Sequence, residues 1–267
     1  MTLPLPIAFL GGGNMATALL GGLLRANLAP ASAVRVADPA PDRRADLAAR
    51  FGVDATPDNA AAASGARLVV LAVKPQQAAE ALASANLAPD LLLLSICAGL
   101  PTARLESLVP CRVVRAMPNL PALVGAGMTA LSPGSRSTPA DLDAAETLLS
   151  GAGQVARLPE SQMDAVTGLS GSGPGYVFAF VEALEAAALE LGFPPATARQ
   201  MALQTVRGAA ELAAATGEDP AELRRRVSSK GGTTLAGLAA MQAAGFPSAV
   251  RAAVFAARDR SAELGKA

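Results

Sequence analysis

The first 160 residues alternate short apolar runs with stretches of helical periodicity, and this alternation limits the possible folds more than any other feature. Continuous apolar runs separated by helices are typical of strands that are buried on both faces. The sequence therefore predicts an α/β fold with a doubly wound, mainly parallel sheet. The runs are rich in Val, Leu and Ile and occupy residues 5–10, 34–37, 68–73, 91–96 and 112–115, with weaker runs at 128–131 and 154–158 that are expected to close the sheet.

After about residue 162 no strand pattern remains, and helices are predicted at residues 176–191 and 196–215. The second of these helices is apolar over most of its circumference and needs several packing neighbours. A region of only about a hundred residues supplies few such neighbours from its own chain. We expect some to come from a second subunit, with a compact monomeric bundle as the alternative. Two domains follow, residues 1–162 and residues 163–267.

Composition excludes several kinds of chemistry. The chain contains no histidine, so neither a Ser-His-Asp triad nor a His-ligated zinc site is available. Its 22 basic and 22 acidic residues balance, which gives no electrostatic reason to expect nucleic acid as a partner. Cys97 and Cys111 lack metal-ligand spacing and are expected to be small buried hydrophobes. Without a signal sequence or an apolar stretch of membrane-spanning length, a cytoplasmic protein without membrane association is expected.

A glycine-rich loop, GGGNMA at residues 11–16, lies between the first predicted strand and the first helix. Gly11, Gly13 and Ala16 fit the G-x-G-x-x-G/A pattern that binds the pyrophosphate of a dinucleotide. Asp38 ends the next strand, where a carboxylate can accept from the ribose 2′-OH of NAD. Arg43 and Arg44 follow and could meet the 2′-phosphate of NADP, or could be the exposed face of a short helix that starts at Pro41. The cofactor choice stays open, with NADPH favoured.

Polar residues follow further strands at the edge where ligands bind in doubly wound sheets. Lys74 follows the third strand and is placed to meet a ribose or phosphate, or is an ordinary surface lysine. Residues 97–99 follow the fourth strand. Asn119 stands between two prolines after the fifth and is placed to fix a nicotinamide or substrate.

Two more glycine-rich segments, SGSGPG at residues 170–175 and SSKGGTT at residues 228–234, are predicted to open helices in the second domain. The backbone N–H groups at a helix N-terminus bind anions. We therefore expect these segments to hold a small carboxylate or the rest of the cofactor.

The chain resembles the pyrroline-5-carboxylate reductase family over nearly its whole length. The resemblance rests on GGGNMA at 11–16, AVKPQ at 72–76, RAMPNLP at 115–121, DAVTGLSGSGPGYVF at 164–178 and VSSKGGTTLAGL at 227–238. It implies NAD(P)H-dependent reduction of a cyclic imine carboxylate to L-proline, the last step of proline biosynthesis. It also implies an N-terminal Rossmann domain, a C-terminal all-α dimerisation domain, and a homodimer or a ring of dimers.

The resemblance carries site roles over position by position. Substrate contacts are expected from Asn119 and from the second glycine-rich segment, at Ser229, Gly231, Gly232, Thr233 and Thr234. Thr234 and Ser229 are the catalytic residues expected. Cofactor contacts are expected at Gly11, Gly13, Asn14, Met15, Asp38, Asn59, Ala72, Val73, Lys74, Pro75, Cys97, Ala98 and Met117. Lys230 stands where the family usually has proline, and Leu120 stands where threonine is common.

The imine nitrogen is basic and can enter already protonated, which suits a chain without histidine. The remaining task is orientation. Thr234 is expected to bond the ring nitrogen, with an ordinary helix N-cap as its alternative role. A β-hydroxyacid dehydrogenase would need a helix lysine in the second domain, where only Lys230 precedes the terminal Lys266. A non-catalytic nucleotide sensor would have no evident need for both glycine-rich segments.

Overall fold

The computed structural model describes residues 3–265, which form two compact units. One unit contains residues 3–172 and 255–265, and the other contains Gly173–Val254. The predicted domain limits, 1–162 and 163–267, stay a prediction. By packing, residues 163–172 and the end of the last helix belong to the first unit. Lys266 lies outside the described residues.

The first unit is built on an eight-stranded sheet within the described residues, in the order β3-β2-β1-β4-β5-β6-β7-β8. All pairs from β3 to β6 are parallel, β7 is antiparallel to β6, and β8 is parallel to β7. The strands are β1 Ile7–Leu10, β2 Val34–Ala37, β3 Asp54–Thr56, β4 Leu68–Leu71, β5 Leu92–Ser95, β6 Arg112–Met117, β7 Gly127–Pro133 and β8 Gly153–Arg157. The predicted parallel sheet is confirmed, but β3 was missed because its three residues carry no apolar run.

Helices cover both faces of this sheet. Alternate residues of each central strand feed two separate hydrophobic cores: in β1, Ile7 and Phe9 face one core, and Ala8 and Leu10 face the other. The helices of the first unit are α1 Asn14–Arg25, α2 Pro41–Phe51, α3 Asn59–Ala63, α4 Ala78–Ala85, α5 Thr102–Leu108, α6 Pro139–Ser150 and α7 Met163–Val166. The sheet is thereby a rigid platform whose carboxyl edge carries the loops.

The second unit is helical, as predicted. Its helices are α8 Gly173–Glu190, α9 Pro195–Thr216, α10 Pro220–Arg226, α11 Thr233–Ala243 and the start of α12 Phe246–Leu264. Phe180 and Phe246 pack with ring centroids 6.1 Å apart, and the Tyr176 hydroxyl donates to the Ala253 carbonyl. No helix within residues 3–265 is long and apolar enough to cross a membrane.

Few side chains of the second unit are buried. In α8 only Val181 is buried among the described residues, and in α11 none is. Large apolar side chains are exposed instead, at Val177, Phe178, Leu189, Leu191, Met201, Leu203, Leu212, Val227, Leu235, Phe246 and Val250. Exposed large apolar side chains are typical of a surface that packs against another element or chain, and Met201, Leu203 and Leu212 of α9 agree with the packing demand predicted for that helix.

Candidate active site

The crevice for a ligand in a doubly wound sheet lies where the strand order reverses, outside the carboxyl ends of the strands. Here that point lies between β1 and β4, because β2 and β3 continue to one side and β5 and β6 to the other. The loops after these strands carry most of the predicted cofactor residues of the first unit. The fold therefore brings them to one edge.

Gly11 closes the turn after β1. Its N–H donates to the Ala37 carbonyl at 2.7 Å, and its φ of +96° lies in the left-handed region. A Cβ at this position would lie 2.7 Å from the carbonyl oxygen of Ala72, so no side chain fits between the ends of β1 and β4. The turn predicted from the glycine pattern requires glycine here for both reasons.

The N-terminus of α1 opens next to this turn. Gly13 is its N-cap with φ −66° and ψ −176°, and no side chain caps the helix. An added Cβ on Gly13 would meet no atom within 4 Å, which leaves space for a ligand to approach the backbone. Asn14 is exposed and Met15 half-buried at the first turn. The uncapped N–H groups form an anion site suited to a pyrophosphate.

A cleft of about 190 Å³ extends from Gly11 past the ends of β2 and β3. Asn59, the first residue of α3, lines it and donates from Nδ2 to the Ser84 hydroxyl at 2.9 Å. Asp58 caps α3 through its carboxylate. The predicted adenosine-ribose residue thus lies in the same cleft as the glycine turn.

Asp38 is held by the backbone on both carboxylate oxygens. Oδ2 accepts from the Gly12 N–H at 2.8 Å, and Oδ1 accepts from the Ala40 N–H at 2.9 Å. Arg44 is also fixed, since its Nη1 donates to the carbonyls of Asp38 and Pro39 at 2.8 Å. Arg43 is half-buried beside Gly12. A helix does begin at Pro41, as the alternative for Arg43 and Arg44 required, and Arg44 is tied to the backbone.

The ends of β4 and β5 are joined by a thiol. Cys97 is 3% exposed and its Sγ donates to the Val73 carbonyl at 3.3 Å. Burial raises the pKa of Cys97 to about 11, so the thiol stays neutral. Ala72, Val73 and Ala98 are half-buried at this edge, Lys74 is exposed, and Pro75 begins a short 3₁₀ turn.

Asn119 follows β6 and is buried. Its Oδ1 accepts from the Met128 N–H at 2.9 Å, and its Nδ2 donates to the Ser170 carbonyl at 3.0 Å. Met117, two residues earlier, packs against Gly171. Both residues therefore connect the end of β6 to the segment before α8.

An ionic network around a buried arginine in the first unit was not predicted. Arg115 of β6 donates from Nη1 to Glu160 at 2.6 Å, and its Nη2 lies 4.0 Å from Asp164. Asp164 accepts from the hydroxyl of Ser261 at 2.7 Å, and Glu160 from the Thr102 N–H. An arginine inside a strand was the available signal, because a buried guanidinium needs acidic partners.

The glycine-rich segment at 228–234 lies in the second unit. Gly232 is the N-cap of α11, with no side-chain cap, and an added Cβ would meet the hydroxyl of Ser229 at 2.4 Å. The alternative role of Thr234 as N-cap is therefore wrong, because Thr234 lies one residue inside the helix. Ser229, Thr233 and Thr234 are exposed around an uncapped helix N-terminus, and Lys230 is exposed in the turn before it.

The segment at 170–175 differs from the expectation. The segment opens a helix as predicted, but α8 begins at Gly173, three residues before the predicted start at residue 176, and α7 and a π-helical turn at Thr167–Gly171 lead into it. The Ser172 N–H donates to the Thr167 carbonyl, and Pro174 has no N–H. Two of the positions expected to offer an N–H at this helix N-terminus are therefore not open to a ligand, and the predicted anion site stays a prediction.

Two family models match the chain. One, described as pyrroline-5-carboxylate reductase dimerisation, covers residues 160–264, and the other, described as NADP oxidoreductase coenzyme F420-dependent, covers residues 6–99. Curated pyrroline-5-carboxylate reductases of Pseudomonas aeruginosa and Synechocystis are 46% and 44% identical, each over 97% of this chain and 97% and 98% of their own lengths. The chain belongs to the pyrroline-5-carboxylate reductase family.

Solved structures of the family have the same fold. The pyrroline-5-carboxylate reductase of Coxiella burnetii is 34% identical with a TM-score of 0.89, covering 99% of this chain and 100% of its own. The pyrroline carboxylate reductase of Plasmodium falciparum, solved with NADP bound, is 28% identical with the same TM-score and coverage. The predicted family and fold class are confirmed, whereas the individual site roles stay predictions.

Proposed function

We propose that this chain is a pyrroline-5-carboxylate reductase, which reduces 1-pyrroline-5-carboxylate to L-proline with NAD(P)H as the last step of proline biosynthesis. The observation that carries the proposal is the 46% identity over 97% of both chains with a curated reductase of that name. A dinucleotide crevice in one unit and an uncapped, hydroxyl-lined helix in the other supply the two kinds of site that this reaction needs.

The residues at the strand edge fit NADP(H). The open backbone at Gly13, the uncapped α1 and the cleft beside Asn59 suit the pyrophosphate and adenosine ribose. When bound, the reduced nicotinamide supplies a hydride to the carbon of the C=N bond. Gly11, Gly13, Asn14 and Met15 would hold the pyrophosphate. Residues 72–75 would line the cofactor, with Cys97, Ala98 and Met117 towards its nicotinamide half.

The choice between NADPH and NADH rests on the end of β2. Each carboxylate oxygen of Asp38 accepts one hydrogen bond from a backbone N–H group. These two bonds hold the negative charge of Asp38 close to the glycine-rich loop. Arg44 is fixed on backbone carbonyls, so Arg43 is the guanidinium available for a 2′-phosphate. NADPH is the cofactor favoured by this arrangement, and NADH stays possible because Asp38 retains lone pairs for a ribose hydroxyl.

The N-terminus of α11 would bind the substrate carboxylate through the N–H groups of its first turn. Gly231 and Gly232 keep this approach free of side chains, and Thr233 and Ser229 lie at its rim. The Thr234 hydroxyl would bond the ring nitrogen, with Ser229 beside it. An imine nitrogen that enters already protonated needs no proton donor, so these groups would orient the ring and hold its proton.

The match to a dimerisation family over residues 160–264 and the exposed apolar side chains of α8, α9 and α11 support an oligomer of this chain. A homodimer, or a ring of dimers, is the assembly that we propose, and sedimentation of a monomer at micromolar concentration would contradict it. The cytoplasmic location stays a prediction, which cell fractionation tests.

The test is an initial-rate assay with purified protein, 1-pyrroline-5-carboxylate and either NADPH or NADH, following absorbance of the reduced cofactor. Rapid oxidation that depends on both substrate and enzyme is expected, with NADPH the better cofactor. Absence of oxidation with either cofactor, in protein that binds NADPH, would overturn the proposal.

A further inference from the structure

Three alternate residues at and just beyond the end of β6 all contact the segment before α8. Arg115, Met117 and Asn119 alternate along extended backbone and therefore share a face. Arg115 binds Glu160, Met117 packs on Gly171, and Asn119 donates to Ser170. The end of β6 is thus joined at three successive points to residues 160–171.

The side chain of Asn119 donates a hydrogen bond to the Ser170 carbonyl, whose α-helical donor would be a proline. In an α-helix the Ser170 carbonyl would accept from the N–H four residues later. That residue is Pro174, which has none. The π-helical turn at Thr167–Gly171 precedes this position, and the Asn119 Nδ2 reaches the Ser170 carbonyl at 3.0 Å. An amide from another element thus supplies a donor that an α-helix continued back to Ser170 would lack at Pro174.

The amide oxygen of Asn119 also has a backbone partner. Its Oδ1 accepts from the Met128 N–H in β7 at 2.9 Å, and the whole residue is 8% exposed. The two complementary backbone partners determine which end of the amide is oxygen and which is nitrogen. Loss of the side chain would leave two half-buried backbone groups, the Met128 N–H and the Ser170 carbonyl, without their protein partner.

We infer that Asn119 is a positioning residue for the reductase reaction, whose amide replaces the N–H that Pro174 lacks and holds the end of β6 against residues 163–171. The inference rests on the proposed function for its kinetic consequence. β6 lies on the β4 side of the crevice, where the nicotinamide half of the cofactor would lie. A loosened end of β6 therefore affects the reacting half of the cofactor more than the adenosine half.

The experiment is a double-variant cycle. Asn119→Ala is expected to lower kcat at least about tenfold, with the NADPH dissociation constant within about threefold of wild type. Pro174→Ala, which introduces an N–H four residues after Ser170, is the matched partner and should remain close to wild type alone. In the double variant the restored donor should recover at least about threefold of the lost kcat.

Two results would overturn the inference. One is a double variant no faster than Asn119→Ala, and the other is an Asn119→Ala variant whose only change is a raised KM for the imine, as a direct substrate contact predicts. If wild-type protein fails to turn over the imine, the proposed function is contradicted, but the structural role of Asn119 is not. Deuterium exchange then tests Asn119 independently: residues 163–172 should exchange faster in Asn119→Ala and slower again in the double variant.

If Asn119→Ala does not fold, Asn119→Asp replaces it. The introduced carboxyl keeps an acceptor for Met128 but donates to Ser170 only when protonated. The exchange rate of residues 163–172 in the variant, divided by the wild-type rate at the same pH, should therefore fall towards one as the pH is lowered. Equal exchange in variant and wild type at every pH would contradict the role assigned to Asn119.

Discussion

Substitution of Gly13 by alanine separates cofactor binding from folding. The added methyl group meets no atom within 4 Å, and the φ of −66° is accessible to any residue. Alanine is a poorer N-cap than glycine, but it also restricts the unfolded chain. We therefore expect the free energy of unfolding to change by less than about 1 kcal/mol.

Cofactor affinity should respond much more strongly, because the methyl group occupies the open approach to the α1 N-terminus. Displacing the pyrophosphate enough to lose one N–H bond to a charged oxygen costs about 1.5–3 kcal/mol. This corresponds to a dissociation constant for NADPH that is roughly 10–150-fold weaker. Fluorescence titration with NADPH measures the affinity, and urea unfolding measures the stability.

Gly11→Ala is the matched control, because this substitution should lower the stability of the fold, which Gly13→Ala should leave nearly unchanged. Its methyl group would lie 2.7 Å from the Ala72 carbonyl oxygen, at a φ of +96°. The left-handed conformation alone costs alanine about 1–2 kcal/mol, and the overlap adds to this. The variant should therefore unfold at clearly lower urea concentration. Equal loss of stability in the two variants, or unchanged NADPH affinity in Gly13→Ala, would refute the reasoning.

Three further predictions concern single side chains. Thr234→Ala should lower kcat with the imine while Thr234→Ser retains most of it, and equal turnover in Thr234→Ala and wild type would eliminate the catalytic role. Arg43→Ala should lower kcat/KM for NADPH at least about tenfold relative to NADH, whereas Arg50→Ala on the same helix, where Arg50 pairs with Asp46, should leave that ratio unchanged. Burial raises the pKa of Cys97 and Cys111 from 9.0 to about 11, so each thiolate is favoured only after unfolding. The contribution of these two thiols to stability should therefore be constant below pH 9 and fall, on the order of 2 kcal/mol per thiol, as the pH approaches 11, and a urea-unfolding profile that is flat between pH 9 and 11 would contradict the burial.

The parallel sheet and the glycine turn could be predicted because both are local. An apolar run of four residues between helices is sufficient to indicate a buried strand, and the spacing of Gly11, Gly13 and Ala16 describes one turn. Asp54–Thr56 could not be predicted, since a three-residue edge strand with an exposed aspartate carries no apolar pattern.

The network around Arg115 and the bonds of Asn119 depend on partners far along the chain. Asn119 lies between two prolines in the sequence, which suggested a side chain held ready for a ligand. Its partners Met128 and Ser170 are backbone groups, and backbone groups leave no trace in residue identity. Pro174 was the usable signal, because a proline early in a helix leaves a carbonyl four residues before it without its donor.

In the reaction proposed for this chain, a hydride passes from the nicotinamide to the carbon of the C=N bond. The direct measurement uses NADPH deuterated at the transferring position of nicotinamide C4, excess 1-pyrroline-5-carboxylate and wild-type protein, with mass spectrometry of the product. We expect L-proline with one deuterium at C5 for each cofactor oxidised. Oxidation of the cofactor without labelled proline would contradict it.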